Sequence, residues 1–159
     1  MNAGKSTSLL QSNHNYEVRD LKTYLFTPAV DAEVHDGKIH SRLGISKDAI
    51  VFDSAFNFIE YFLNKNDQKI SCILIDEAQF LTELQVKQLC NICDEKNIPI
   101  MCYGIRTDFQ GKVFVLGCVV GLSNMSCFTL PYHAHSSSYG LNYISRLSIL
   151  IGKLVLLIF

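Results

Sequence analysis

Ile70-Ser71-Cys72-Ile73-Leu74-Ile75-Asp76-Glu77 is the stretch on which the fold turns. Six residues without a charge, closed by two carboxylates, are the pattern of a central parallel strand covered on both faces, with its polar residues at the carboxyl end. Downstream, Thr82-Glu83-Leu84-Gln85 reads as a capping box opening a helix to about Lys96, with Leu84, Val86, Leu89 and Ile92 on its apolar side. Ile98 to Tyr103 is a second buried strand, closed by Gly104. Upstream, Leu21 to Thr27 forms a strand through Tyr24, Leu25 and Phe26 that Pro28 ends. Asp31 to Gly44 is polar and reads as a loop, and Ala49 to Phe52 as a short strand. Ser54 to Leu63 is an amphipathic helix resting on Phe56, Ile59, Tyr61 and Phe62. Strands alternating with helices predict an α/β domain with a parallel sheet flanked by helices, whose ligands bind at the carboxyl ends of the strands.

The chain has 159 residues, the size of one domain, and its 14 basic and 15 acidic side chains leave a net charge of −1. That balance offers no basic excess to displace counterions from a phosphate backbone, so nucleic acid is not an expected partner. Six cysteines without a charged-then-apolar leader fit a reducing, cytoplasmic setting. The charge is unevenly spread. Residues 1–114 hold 12 basic and 15 acidic side chains, whereas residues 115–159 hold only Arg146 and Lys153. Two kinds of sequence meet near Phe114: a core over 1–114 and an apolar tail over 115–159.

Chemistry concentrates in two places within the core. Gly4-Lys5-Ser6 is the end of the G-x-x-x-x-G-K-[ST] loop, whose backbone N–H groups cradle phosphates while its Lys and hydroxyl reach phosphate and Mg²⁺. Asp76-Glu77 ends the buried strand, where a carboxylate pair is costly unless a cation or a reacting hydroxyl uses it. In nucleoside-triphosphate enzymes that place holds an Asp for Mg²⁺ and often a neighbouring carboxylate that acts as base. Taken singly, the triplet also suits an exposed tail, and the pair a solvated strand end.

Three ordered segments make the pattern specific. Met1-Asn2-Ala3-Gly4-Lys5-Ser6-Thr7, Ile73 to Leu81 (Ile-Leu-Ile-Asp-Glu-Ala-Gln-Phe-Leu) and Cys102 to Lys112 (Cys-Tyr-Gly-Ile-Arg-Thr-Asp-Phe-Gln-Gly-Lys) resemble the thymidine kinases of the cytosolic, bacterial and poxviral type. The resemblance covers about 114 residues and implies a P-loop NTPase fold of the RecA-like kind. It implies that Asn2, Ala3, Gly4, Lys5, Ser6 and Thr7 wrap the ATP phosphates, that Ser6 and Asp76 hold Mg²⁺, and that Gln79 lies in the nucleotide-contact segment. Glu77 is then the general base that takes the proton of the thymidine 5′-hydroxyl. Met1, Phe80, Ile105, Phe109 and Phe114 match positions that shape the thymine pocket, and Asp31 an acidic position near the phosphate end of the nucleoside. Homo-oligomers, tetramers or dimers, are also implied. Each Phe taken alone is equally well read as core packing.

Departures from the family set further expectations. The chain opens within the phosphate loop, so the sheet is expected to lack the family's first strand. The zinc-bearing lasso that follows the family core is not expected in 115–159, where the alternatives are a frameshifted, mis-spliced or degraded reading frame and a truly divergent tail. Glu33 stands where the family often has Arg. Cys90-x-x-Cys93 has ligand spacing but no second pair, and reads as one turn of a buried helix face; His133 and His135 lie in the tail, and no zinc ligands are assigned. Leu141 to Phe159 is apolar but carries Asn142, Arg146 and Lys153, which argues against a membrane span and for an exposed, aggregation-prone end. The first expectation is thymidine kinase activity giving dTMP, weakened by the missing strand and lasso. The alternatives are a non-catalytic nucleotide-binding P-loop fragment and a P-loop ATPase of another kind.

Overall fold

A computed structural model describes residues 4–63, 70–105, 128–131 and 154–158. In chain order the elements are α1 (Lys5–Glu17), β1 (Lys22–Pro28), α2 (Ala29–His35), β2 (Lys38–His40), β3 (Ser46–Asp48), β4 (Ile50–Phe52), α3 (Phe58–Leu63) and β5 (Ile70–Ile75). A 3₁₀ turn (Ala78–Phe80), α4 (Glu83–Lys96), β6 (Ile100–Gly104), β7 (Phe128–Pro131) and β8 (Leu154–Ile158) follow. The main sheet runs β4-β1-β5-β6-β8-β7 with parallel pairing throughout, and β2 and β3 form a separate antiparallel hairpin.

The period of two along each strand divides the core between the faces. Leu25, Cys72, Leu74, Met101 and Tyr103 pack with Leu9, Leu10 and Tyr16 of α1 and Ile39 of β2. Tyr24, Phe26, Ile73, Ile75, Ile100 and Cys102 point the other way, onto Phe58 and Phe62 of α3 and Val86, Leu89 and Ile92 of α4. On that second face Phe26 is fully buried, with ring centroids of Phe58, Tyr61, Phe56 and Phe62 at 5.2, 5.7, 6.0 and 6.0 Å, mostly edge-to-face. Helices on both faces of a parallel sheet are the architecture that the strand pattern predicts.

Several local expectations need correction. The segment 31–44 is not one loop: β1 passes directly into α2, with Pro28 extended at φ −71° as its N-cap, and β2 follows after Asp36 and Gly37 in left-handed backbone. A helix of seven residues is too short for periodicity to announce. The helix expected from Ser54 begins at Phe58, because Asp53 instead turns the chain, its carboxylate accepting from the Ala55 N–H at 3.0 Å. Leu84 is not on the apolar side of α4 but 67% exposed, while Gln85 and Gln88 are buried in its place. The capping box itself forms, Gln85 Oε1 accepting from the Thr82 N–H at 3.0 Å. The Gln85 amide also donates to the Asp53 and Phe56 carbonyls at 2.7 and 3.0 Å, which turns this polar residue inward. Cys90 and Cys93 are buried thiols on the core side of α4, as their spacing suggested. The tail's Leu154–Ile158 is not a loose end but pairs along β6 from Ile100↔Leu154 to Gly104↔Ile158. Among the described residues no helix is long and apolar enough to cross a membrane.

Candidate active site

The carboxyl ends of β1, β5 and β6 converge on the N-terminus of α1. Gly4 caps that helix in left-handed backbone, φ 65°, and a Cβ there would meet nothing within 4 Å, so glycine is required by the dihedral rather than by space. The first intrahelical bond runs from the Ser8 N–H to the Gly4 carbonyl at 2.9 Å, leaving the preceding N–H groups of the first turn without partners along the helix. The turn contains no acidic residue. Unpaired N–H groups and the positive end of the helix dipole favour an anion such as phosphate.

Asp76 follows directly from the register of the sheet. Phe26 pairs with Ile75, and the Asp76 N–H donates to the Phe26 carbonyl at 2.9 Å, which sets Asp76 level with Thr27 on the α1 face. Its Oδ2 accepts from the Ser6 hydroxyl at 2.9 Å and its Oδ1 from the Glu77 N–H at 3.0 Å. Burial pushes the Asp76 carboxyl up from 3.8 to about 6, with the like charges of Glu77 and Asp31 adding to the rise and the Ser6 hydroxyl opposing it. A buried carboxylate and a hydroxyl at its oxygen form a hard oxygen donor set of the kind Mg²⁺ takes, and the raised pKa marks a carboxylate lacking compensating positive charge. No group of three or more His, Cys, Asp or Glu side chains among the described residues makes an all-protein metal cage. Mg²⁺ held by one or two side chains together with substrate phosphates needs none.

Glu77 leaves the strand through left-handed backbone, φ 45°, a costly conformation for a residue with a Cβ. Its Oε1 lies 3.2 Å from Lys5 Nζ, with only 22% and 16% of the two side chains exposed. Its Oε2 accepts from the Gln79 side-chain amide, whose own Oε1 accepts from the Ile105 N–H at 3.3 Å. Gln79 and Phe80 lie on the 3₁₀ turn just beyond, and Phe80 is 48% exposed, outside the core. Asp31 sits in the first turn of α2 and acts electrostatically on Asp76.

The structure therefore brings together Gly4, Lys5, Ser6, Thr7, Asp31, Asp76, Glu77, Gln79, Phe80 and Ile105 at one end of the sheet. Met1, Asn2, Ala3, Phe109 and Phe114 lie outside the described residues, and Glu33 is exposed on α2. Two participants escaped sequence reasoning. Ser41, in the β2–β3 turn, meets the Thr7 hydroxyl at 2.6 Å, a contact between residues 34 positions apart that no local pattern announces. Gly104, at the end of β6, is packed against Gln79: a Cβ there would lie 3.1 Å from Gln79 Oε1 and 3.2 Å from its backbone nitrogen. The Tyr103-Gly104 pair within the third segment was its only signal.

The family model described as thymidine kinase matches residues 1–123. The thymidine kinase of Photorhabdus laumondii is 49% identical over 115 residues, 72% of this chain and 57% of the relative. That of Haemophilus influenzae is 50% identical over 115 residues, covering 72% and 60%, and that of Legionella pneumophila strain Paris 52% identical over 118 residues, covering 72% and 56%. The chain thus spans somewhat more than half the length of these relatives. With the family model matching residues 1–123 of the 159 and relatives at about 50% identity, this chain belongs to the thymidine kinase family.

Proposed function

We propose that the protein is an ATP-dependent kinase that transfers the γ-phosphoryl group of ATP to the 5′-hydroxyl of thymidine, yielding dTMP and ADP. The observation that carries this reading is the Lys5–Glu77 pair at 3.2 Å beside the Ser6–Asp76 bond at 2.9 Å, at the N-terminus of α1. One carboxylate is thereby paired with a lysine while the other accepts from a hydroxyl.

On this reading Asn2 to Thr7 bind the triphosphate, with Lys5 moving from Glu77 to the transferred group and Asp76 and Gln79 completing the nucleotide contacts. Ser6 and Asp76 would hold Mg²⁺, which when bound neutralises charge on the phosphate oxygens. Glu77 accepts the 5′-hydroxyl proton as that oxygen forms its bond to the γ-phosphorus and the bond from phosphorus to the β-bridging oxygen breaks. Phosphoryl transfer asks a protein mainly for positioning and charge neutralisation, and both are available here. Met1, Phe80, Ile105, Phe109 and Phe114 form the apolar slot for the base, and Asp31 lies at its phosphate end. The catalytic core is residues 1–114, and the active form is a homo-oligomer, a dimer or tetramer, which light scattering on the purified chain measures.

The test is transfer from [γ-labelled]ATP by the 159-residue chain with Mg²⁺, with and without thymidine, beside Glu77→Gln. Label in dTMP that depends on Glu77 supports the kinase reading. Phosphate release that ignores thymidine would favour an ATPase, and ATP binding without either product a non-catalytic nucleotide-binding fragment.

A further inference from the structure

We propose that Gln79 is a positioning residue that holds the Glu77 carboxylate in its reactive orientation, and that position 104 is glycine to let it do so. The inference rests on the reading of Glu77 as base. The Glu77 carboxylate is held at two points, Oε1 by Lys5 and Oε2 by the Gln79 amide. Lys5 is called away whenever a triphosphate occupies the loop, so during the reaction Gln79 is the partner that remains.

Gln79 is suited to this because its amide is anchored at the opposite end. Its Oε1 accepts from the Ile105 N–H at 3.3 Å, so the NH₂ group must face Glu77. The flipped amide would set oxygen against carboxylate and NH₂ against N–H, leaving both contacts repulsive. The anchor follows directly on β6, whereas Glu77 lies just past the end of β5, so Gln79 ties the base to the end of the neighbouring strand. Space for that tie exists only because residue 104 has no Cβ: one would stand 3.1 Å from Gln79 Oε1, 3.2 Å from its backbone nitrogen and 3.4 Å from that of Ala78. The second is a backbone atom that gives way only if the turn moves by a few tenths of an ångström, so an alanine crowds the turn that carries Gln79.

The test is steady-state transfer to thymidine by Gln79→Met, which keeps the length and loses the donor, by Gly104→Ala, and by the double variant. A base displaced by a fraction of an ångström loses rate and not affinity. Gln79→Met is expected to lower kcat by about 10- to 100-fold at saturating ATP, with KM for thymidine within about threefold. Gly104→Ala should lower kcat likewise, and the double variant should be no slower than Gln79→Met, because both changes break one linkage. If wild type transfers phosphate in a Glu77-dependent way while Gln79→Met keeps kcat within threefold, or the two losses multiply, the positioning role is wrong and the base assignment stands. If wild type transfers nothing, or Glu77→Gln matches it, the base assignment falls and this role with it.

Discussion

Replacing Asp76 by Asn should make the metal-free protein more stable while removing its activity. Asp76 is 1% exposed, and its carboxyl lies near 6 instead of 3.8. Because the folded value is the higher one, the folded chain takes up a proton between about pH 4 and 6 that the unfolded chain does not. The stability of the metal-free protein therefore falls as pH rises through that window, and above it the ionised carboxylate costs about 3 kcal/mol. Asn keeps an oxygen for the Glu77 N–H, and the Ser6 hydroxyl can turn to accept from the new NH₂ group. Urea unfolding in EDTA at pH 8 should place Asp76→Asn above wild type by up to about 3 kcal/mol, an advantage that shrinks through pH 5 and vanishes near pH 4. Phosphoryl transfer should drop by about 100-fold or more, and added Mg²⁺ should stabilise wild type but not the variant. A variant no more stable than wild type at pH 8, or an advantage as large at pH 4, would refute the argument that ionising this buried carboxylate strains the fold.

Other substitutions test the packing that positions the site. Gln85→Ala removes bonds to the Thr82 N–H and to the Asp53 and Phe56 carbonyls, and at about 1 kcal/mol each should cost roughly 3 kcal/mol in urea unfolding; a loss below 1 kcal/mol would mean water replaces them. Phe26→Ala should cost about 3 to 5 kcal/mol, whereas Leu84→Ala, on the exposed side of α4, should stay within about 0.5 kcal/mol; equal losses would contradict the assigned faces. Tyr103→Phe leaves the buried Ser12 hydroxyl without the bond it now accepts at 2.8 Å and should lower stability by about 1 to 2 kcal/mol, read from the midpoint at unchanged slope.

The strands were legible because a buried parallel strand writes itself as an uninterrupted apolar run, and Ile70–Ile75 and Ile100–Gly104 both do. The carboxylate pair was legible for the complementary reason, that Asp76-Glu77 breaks such a run abruptly. What escaped depends on contacts across the chain. Leu84 stands two residues before Val86, which at about 100° per residue sets it across the helix from the stripe of Val86 and Leu89 and toward solvent, while carbonyls at 53 and 56, some thirty residues earlier, hold Gln85 inward. The Thr7–Ser41 bond and the fit of Gly104 against Gln79 are likewise settled only when distant segments meet. The turn into α2 was hidden because Pro28 ends a strand and caps a helix at once.

The two faces of the sheet are unequally furnished. Among the described residues the α3 and α4 face carries a broad core with four rings around Phe26, whereas the α1 face, which bears Ser6 and Asp76, is smaller and leaves the Ser8 hydroxyl and the Asn13 Nδ2 buried without partners. Cooperative opening follows the weaker layer first. Amide protons of α1 should therefore exchange with solvent through partial openings that leave the α4 layer closed, so of these two described layers α1 is the freer to rearrange around a ligand at its N-terminus and the one such a ligand would quiet more.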